Sequence, residues 1–179
     1  VMAKHLHIPL QSGSNKILKL MNRRYNKEEF LSMVEDLKTI EDISLTTDLI
    51  VGFPKETEEE FNEIIDTLNK IGFTKIHTFP YSKRKGTPAA SMEGQVSPEV
   101  KKDRVHAILK LSNKYEHSFY ESKIGKVYDG VVEIHSNGII LVHTSNFIPV
   151  IINDKVEEGS IVNVKIEKVD NLKVYGRIV

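Results

Sequence analysis

The 179-residue sequence contains no cysteine. That removes disulfide staples, thiolate zinc sites and thiolate-held iron–sulfur clusters from anything this chain builds on its own. Net charge is missing as well, with 25 basic against 25 acidic residues, which argues against a protein that coats nucleic acid by bulk electrostatics. No apolar run approaches the ~18 residues of a transmembrane helix, and no charged-then-apolar leader opens the chain. The expectation is a soluble, cytoplasmic protein with no membrane partner. Low-complexity tracts are also lacking, and 40% hydrophobic with 28% charged residues describes a globular chain long enough to bury a core. Val1-Met2 runs almost at once into an apolar segment, so we expect the natural protein to continue upstream.

What is present divides into two patterns. Residues 5–10 (HLHIPL) read as a short strand that stops at Gln11-Ser12-Gly13, with Ser14 placed to cap a helix running to Met21. A second helix starts at Asn26, three residues before Glu29, and puts Phe30, Met33, Val34, Leu37 and Ile40 on one face. ISLTTDLIVGF (43–53) is a β-branched, buried strand ended by Gly52-Phe53-Pro54. Thr57 and Glu60 form a capping box for a helix striped by Phe61, Ile64, Ile65, Leu68 and Ile71 and ended by Gly72. Residues 73–81 are a further strand, so the order predicts parallel strands with right-handed crossovers. Residues 82–97 read as a loop, and Ser97-Pro98 opens a long helix whose stripe is Val105, Ile108, Leu111, Tyr115 and Phe119.

From about residue 121 the period becomes two: VYDGVVEI, a Ser136-Asn137-Gly138 turn, IILVHT, FIPVIIN, IVNVKIEKV and LKVYGRIV. Five short strands hide their edges most economically by closing into a small antiparallel barrel of the oligonucleotide-binding kind. The sequence therefore predicts an α/β part over 1–120 and a barrel over 121–179. The stretch between them holds the positive excess: residues 82–120 carry 8 basic and 4 acidic side chains, densest at Lys83-Arg84-Lys85.

In a parallel sheet the ligand site lies beyond the carboxyl ends of the strands. Here those ends present Gln11-Ser12-Gly13-Ser14, then Asp48 with Gly52-Phe53-Pro54, then residues 79–82. Gln11 and Ser12 offer hydrogen bonds to a ribose or carboxylate and Gly13 permits close approach, although a plain helix cap accounts for the same residues. Asp48 inside an apolar strand needs a partner, supplied either by a ligand or by backbone amides, Arg23 or Arg24. His5, His7 and His77 lack a third metal-ligand cluster and read as core or site-wall histidines. On the last barrel strand Lys173, Tyr175 and Arg177 alternate with apolar residues, a row that suits phosphates and a stacked base, or a plain solvated face.

HLHIPLQSGSNKILKLMNRRY, TTDLIVGFPKETEEEF and FPYSKRKGTPAA, in that order, resemble the radical S-adenosylmethionine methylthiotransferases, and residues 121–179 with HTSNFIPVIIN resemble that family's terminal TRAM domain, an RNA-binding barrel. The resemblance implies the C-terminal half of a partial parallel β/α barrel followed by TRAM. It places Gln11, Ser12, Gly13, Arg23, Asp48 and Gly52 near S-adenosylmethionine, with TTDLIVG beside the adenine. Lys55 stands where the family usually has Gly, so a Cβ enters that turn. The family's cysteine triad for a [4Fe-4S] cluster, and a domain carrying a second cluster, lie upstream of these segments, so this chain alone is expected not to cleave S-adenosylmethionine. For the parent enzyme the family implies reductive cleavage of S-adenosylmethionine, hydrogen abstraction from a modified adenine and insertion of a methylthio group.

FPYSKRKGTPAA resembles most the subgroup acting on N6-threonylcarbamoyladenosine at position 37 of tRNA. The implied partners are a tRNA anticodon stem-loop, contacted through Lys83, Arg84, Lys85, Lys173, Tyr175 and Arg177, and the N-terminal portion of the same polypeptide. Alternatives are N6-isopentenyladenosine, a ribosomal-protein aspartate, or a non-catalytic RNA-binding module. The strand at 5–10 is also expected to leave an open edge that favours dimerisation.

Overall fold

The computed structural model describes residues 3–134 and 138–179. The chain forms two compact units, one of His7–Glu41 with Leu45–Ser112, the other of Val1–Leu6, Asp42–Ser44 and Asn113–Val179. The first holds most of a three-stranded sheet in the order β1 (His5–His7), β2 (Ser44–Val51), β3 (Lys75–Pro80), of which His5, Leu6 and Ser44 fall in the second unit. β2 and β3 are parallel, with Thr46 opposite Lys75 and Val51 opposite Pro80. β1 is shorter than HLHIPL because Pro9 has no N–H to donate. Ile8 still donates to the Thr46 carbonyl at 2.8 Å, and pairing resumes as a lone parallel bridge between Gln11 and Leu49.

The helices of this unit follow from local chemistry. α1 (Asn15–Leu20) has Ser14 at its N-cap position, yet the Ser14 hydroxyl does not make the capping bond. α2 (Lys27–Leu37) starts with the reciprocal Asn26–Glu29 box and buries Phe30 and Val34, while Met33 remains exposed. α3 (Glu58–Ile71) starts where the Glu60 carboxylate accepts the Thr57 N–H at 2.8 Å and ends at Gly72, whose φ of 62° is the left-handed cap. Its stripe of Phe61, Ile64, Leu68 and Ile71 is buried.

Two expectations need correction here. The stretch 82–97 is not all loop: Pro88 opens a four-residue helix, α4 (Pro88–Ser91). α5 (Pro98–Glu121) buries Arg104, Ile108, Ser112, Glu116 and Tyr120, one residue round from the apolar stripe read in the sequence. Val105, Leu111, Tyr115 and Phe119 are only half-buried. Polar residues occupy the inner face because each finds a partner: Arg104 the Glu56 carboxylate, Ser112 the Ile76 N–H at 2.9 Å, and Glu116 the Tyr120 hydroxyl at 2.8 Å.

The second unit is a closed barrel of β4 (Val127–Ile134), β5 (Ile140–Thr144), β6 (Pro149–Ile152), β7 (Ile161–Asp170) and β8 (Lys173–Ile178), ordered β4-β5-β6-β8-β7. The strands alternate, so Val132, Val142, Val150, Val164, Ile166 and Val174 fill the centre. It is mixed rather than wholly antiparallel, since β6 and β8 run parallel. A ring of five strands cannot alternate direction all the way round, so one pair must be parallel. The Ser136-Asn137 part of the expected turn lies outside the described residues. In this unit Asp42 accepts from Lys123 at 2.6 Å, Lys126 at 3.0 Å and the Tyr128 hydroxyl at 3.0 Å. Burial alone would raise the Asp42 carboxyl, but these three donors outweigh it and hold the group at about 2.

Candidate functional site

The carboxyl ends of the strands meet at one end of the sheet. Gln11, at φ 64°, donates its N–H to the Asp48 carbonyl at 2.9 Å and accepts the Ile50 N–H through its own carbonyl at 2.9 Å. Tyr81 donates to the Val51 carbonyl at 2.8 Å. Gln11, the end of β2 and the end of β3 are thus tied together by backbone hydrogen bonds.

Alternation along β2 puts Leu45, Thr47, Leu49 and Val51 on the buried face and Thr46, Asp48 and Ile50 on the other. Asp48 is less buried than its apolar neighbours suggested, with its side chain 35% exposed. Its partner is His7 Nε2 at 3.4 Å, not Arg23 or Arg24. His7 Nδ1 lies 3.0 Å from Thr46 Oγ1, and its ring stands 5.8 Å from that of His77, the residue opposite Asp48 on β3. The outcome is a half-exposed row of two imidazoles and a carboxylate. Among the described residues no group of three or more His, Asp and Glu could hold a metal ion.

The turn after β2 is shaped by charges that sequence reasoning missed. Gly52 has φ 70° and donates its N–H to Glu56 Oε1 at 2.7 Å. The same oxygen accepts from Arg104 at 2.8 Å, and Arg104 also reaches the Glu56 carbonyl at 3.1 Å. Burial pushes the Glu56 carboxyl up against the lowering effects of the Gly52 N–H and Arg104. A Cβ on Gly52 would collide with the Lys101 stem, whose Nζ donates to the Tyr81 carbonyl at 3.0 Å and lies 5.2 Å from the Tyr81 ring. Lys55 adopts φ 68° and donates to the Gly94 carbonyl at 2.7 Å, so a lysine takes the left-handed geometry that glycine adopts without cost. Nothing in the spacing marked Arg104, because the apolar pattern of α5 pointed to Val105.

The remaining expected cofactor residues are placed as follows. Ser12 is fully buried, and its Oγ accepts the Ser14 N–H at 3.3 Å. Gly13 lies close against α3: a Cβ there would lie 2.8 Å from Thr67 Cβ and 3.0 Å from Ile64 Cα. Arg23 is exposed on the turn after α1 and makes no ion pair with Asp48. Lys83, Arg84 and Lys85 are all exposed. On β8, Lys173 is exposed, Tyr175 is half-buried with Lys168 Nζ 6.0 Å from its ring, and Arg177 is paired with Glu167 at 2.8 Å. β7 brings Lys168 opposite Tyr175 and Lys165 opposite Arg177, adding two cations that the row on β8 did not reveal.

Residues 2–68 match the sequence model of the Radical SAM superfamily. Over almost its whole length the chain is also similar to proteins named tRNA-2-methylthio-N(6)-dimethylallyladenosine synthase. That of Acetivibrio thermocellus is 43% identical, covering 99% of this chain and 38% of the relative. That of Fusobacterium nucleatum is 41% identical, with 99% and 42% covered, and that of Aquifex aeolicus is 40% identical, with 97% and 40% covered. These matches bear out the resemblance to the C-terminal part of the radical S-adenosylmethionine methylthiotransferases. The chain spans about two fifths of the length of these relatives.

The superfamily implies S-adenosylmethionine and a [4Fe-4S] cluster. The strand-end residues fit the former: an amide at Gln11, a carboxylate at Asp48, and buried hydroxyls on Ser14 and Tyr81 that lack a hydrogen-bond partner offer polar groups beside apolar Ile50 and Phe53. The cluster does not fit, since a chain without cysteine supplies no thiolate for it.

Proposed function

We propose that this chain is the C-terminal part of a radical S-adenosylmethionine tRNA methylthiotransferase whose substrate is N6-isopentenyladenosine at position 37, beside the anticodon. The observation that carries the reading is that backbone hydrogen bonds tie Gln11 to Asp48 and Ile50 of β2 and Tyr81 to Val51, in a chain similar over 99% of its length to a tRNA-2-methylthio-N(6)-dimethylallyladenosine synthase. The relatives' names favour isopentenyladenosine over the threonylcarbamoyladenosine expected from FPYSKRKGTPAA. When bound, S-adenosylmethionine supplies the radical chemistry, with the cluster held by the upstream part of the polypeptide. Gln11, Asp48 and the Gly52 turn orient the cofactor, and apolar Ile50 and Phe53 exclude water from it.

Residues 121–179 act in this reading as a TRAM domain. Lys83, Arg84 and Lys85, with Lys173, Tyr175 and Arg177, hold the anticodon stem-loop chiefly through phosphates. The chain alone does not cleave S-adenosylmethionine. Mass spectrometry of tRNA nucleosides from a strain lacking the complete gene tests the assignment: the methylthio form of isopentenyladenosine disappears and its unmodified precursor accumulates. Loss of methylthiolated threonylcarbamoyladenosine instead would replace the substrate, and an unchanged nucleoside profile would remove the enzyme reading.

A further inference from the structure

Phe147 is the least expected surface residue of the barrel unit. It sits on the β5–β6 turn, 61% exposed, with its backbone at φ 66°, a conformation that non-glycine residues rarely adopt. The turn is fixed from both sides: the Phe147 N–H donates to the Thr144 carbonyl at 2.8 Å, and buried Asn146 accepts the Thr144 hydroxyl at 2.6 Å. The ring is held by stacking, with the His5 imidazole 4.6 Å away and nearly parallel at 17°, and with His143 tilted at 6.0 Å. The molecule therefore holds a large apolar ring in water at a conformational cost, with an imidazole backing one side.

Beside the ring lies a shallow cavity of about 400 Å³ lined by Val131, Val132, Glu133, His143 and Phe147. Val131 faces His143 across the β4–β5 pair and Ile161 across the β4–β7 pair, and both aliphatic side chains are exposed. At the edge of this apolar floor the Glu133 carboxylate meets His143 Nε2 at 2.9 Å. A flat aromatic wall, an aliphatic floor and one carboxylate–imidazole edge match the requirements of a heteroaromatic ring with polar N–H groups on one side. Among the described residues the lining carries no lysine or arginine, so it suits a base rather than a phosphate.

We infer that this face of the barrel takes one unstacked nucleobase of single-stranded RNA, stacked on Phe147 with its hydrogen-bonding edge towards Glu133 and His143. The inference deepens the tRNA-binding reading of the barrel and rests on it. It also assigns stacking to a different residue from Tyr175. Phosphate contacts come from the Lys83–Lys85 stretch and β8, and base contact comes from Phe147, so the two contributions differ in salt dependence.

The test uses the complete protein and a short single-stranded ribooligonucleotide carrying one 2-aminopurine. Binding quenches the fluorescent base in the wild type. Phe147→Ala abolishes the quenching and weakens affinity about tenfold while leaving the slope of log affinity against log salt unchanged, and Phe147→Tyr retains both signals. Thermal melts of each variant control for folding, and Val131→Ser on the exposed floor gives the same direction of change should Phe147→Ala melt early. Wild-type affinity and quenching in Phe147→Ala would overturn the inference. So would binding by the wild type without quenching, or no binding at all, either of which would leave the patch to a protein partner. The tRNA nucleoside profile of the deletion strain is independent of these outcomes, so failure of the base pocket is distinguishable from failure of the enzyme assignment.

Discussion

The barrel closes on itself and the three-stranded sheet does not. Around the barrel every strand has two neighbours, and its centre is an apolar cluster of Val and Ile side chains with two tyrosines. The sheet has β1 and β3 as outer strands and keeps one face half-exposed, with His7, Asp48 and His77 along it. Buried polar atoms without a hydrogen-bond partner follow the same division. Among the described residues the barrel unit has Asn146 Nδ2, whereas the sheet unit has Ser14, Glu56, Thr78, Tyr81, Gln95 and Arg104 atoms. Both units are packed on apolar cores, the sheet unit on residues such as Leu10, Ile17, Leu49, Ile64 and Leu68, and the sheet unit adds buried polar clamps such as Arg104 on Glu56.

The largest predicted difference comes from the clamp at the strand ends. Arg104→Ala leaves the Glu56 carboxylate buried without its guanidinium and destabilises the sheet unit by about 3–5 kcal/mol in chemical denaturation. A loss below about 1 kcal/mol would show that packing, not the ion pair, holds the Gly52 turn. Gly13→Ala drives a methyl against Thr67 and Ile64 of α3 and costs about 1–3 kcal/mol, with the barrel's own unfolding unaffected.

Acid probes both units through one carboxylate each. Asp42 in the barrel unit and Glu60 in the sheet unit are both held at about 2, the latter by hydrogen bonds from Lys16 and the Thr57 hydroxyl. A depressed carboxyl stabilises fully above its unfolded value, and that contribution is lost as pH falls from about 4 towards 2. Asp42→Asn therefore flattens the acid limb of barrel stability by about 1–2 kcal/mol, and Glu60→Gln does the same for the sheet unit. Denaturation series between pH 5 and 2 that stay parallel to wild type would contradict the clamps. The smallest effect is a gain: Lys55→Gly relieves a left-handed lysine and stabilises the sheet unit by about 0.5–1 kcal/mol, read as a rise in melting temperature.

Where side chains act on their own backbone, the sequence was legible. Thr57–Glu60 and Asn26–Glu29 start their helices as read, Gly72 ends one, and the period-two run from β4 onward closes into a barrel. The readings that shifted depend on partners distant in the chain. Pro9 shortened β1, and α5 turned to bury Arg104 because Glu56 lies 48 residues earlier to receive it. The close approach of α3 to Gly13 was hidden for the same reason. Of the candidate site, the strand-end positions of Gln11, Asp48 and Gly52 were legible from topology alone. The His7 partner of Asp48, the Lys101 and Arg104 braces and the Phe147 platform were not, since each joins segments that no local pattern connects.

We propose that the ends of β2 and β3, with Gln11, form the S-adenosylmethionine side of the complete protein. Equilibrium dialysis of labelled S-adenosylmethionine against the complete, cluster-loaded protein tests it directly, comparing wild type with Asp48→Ala and Gln11→Ala. Retention falling at least tenfold in both variants, with melting temperatures unchanged, is the predicted result; wild-type retention in both would contradict it.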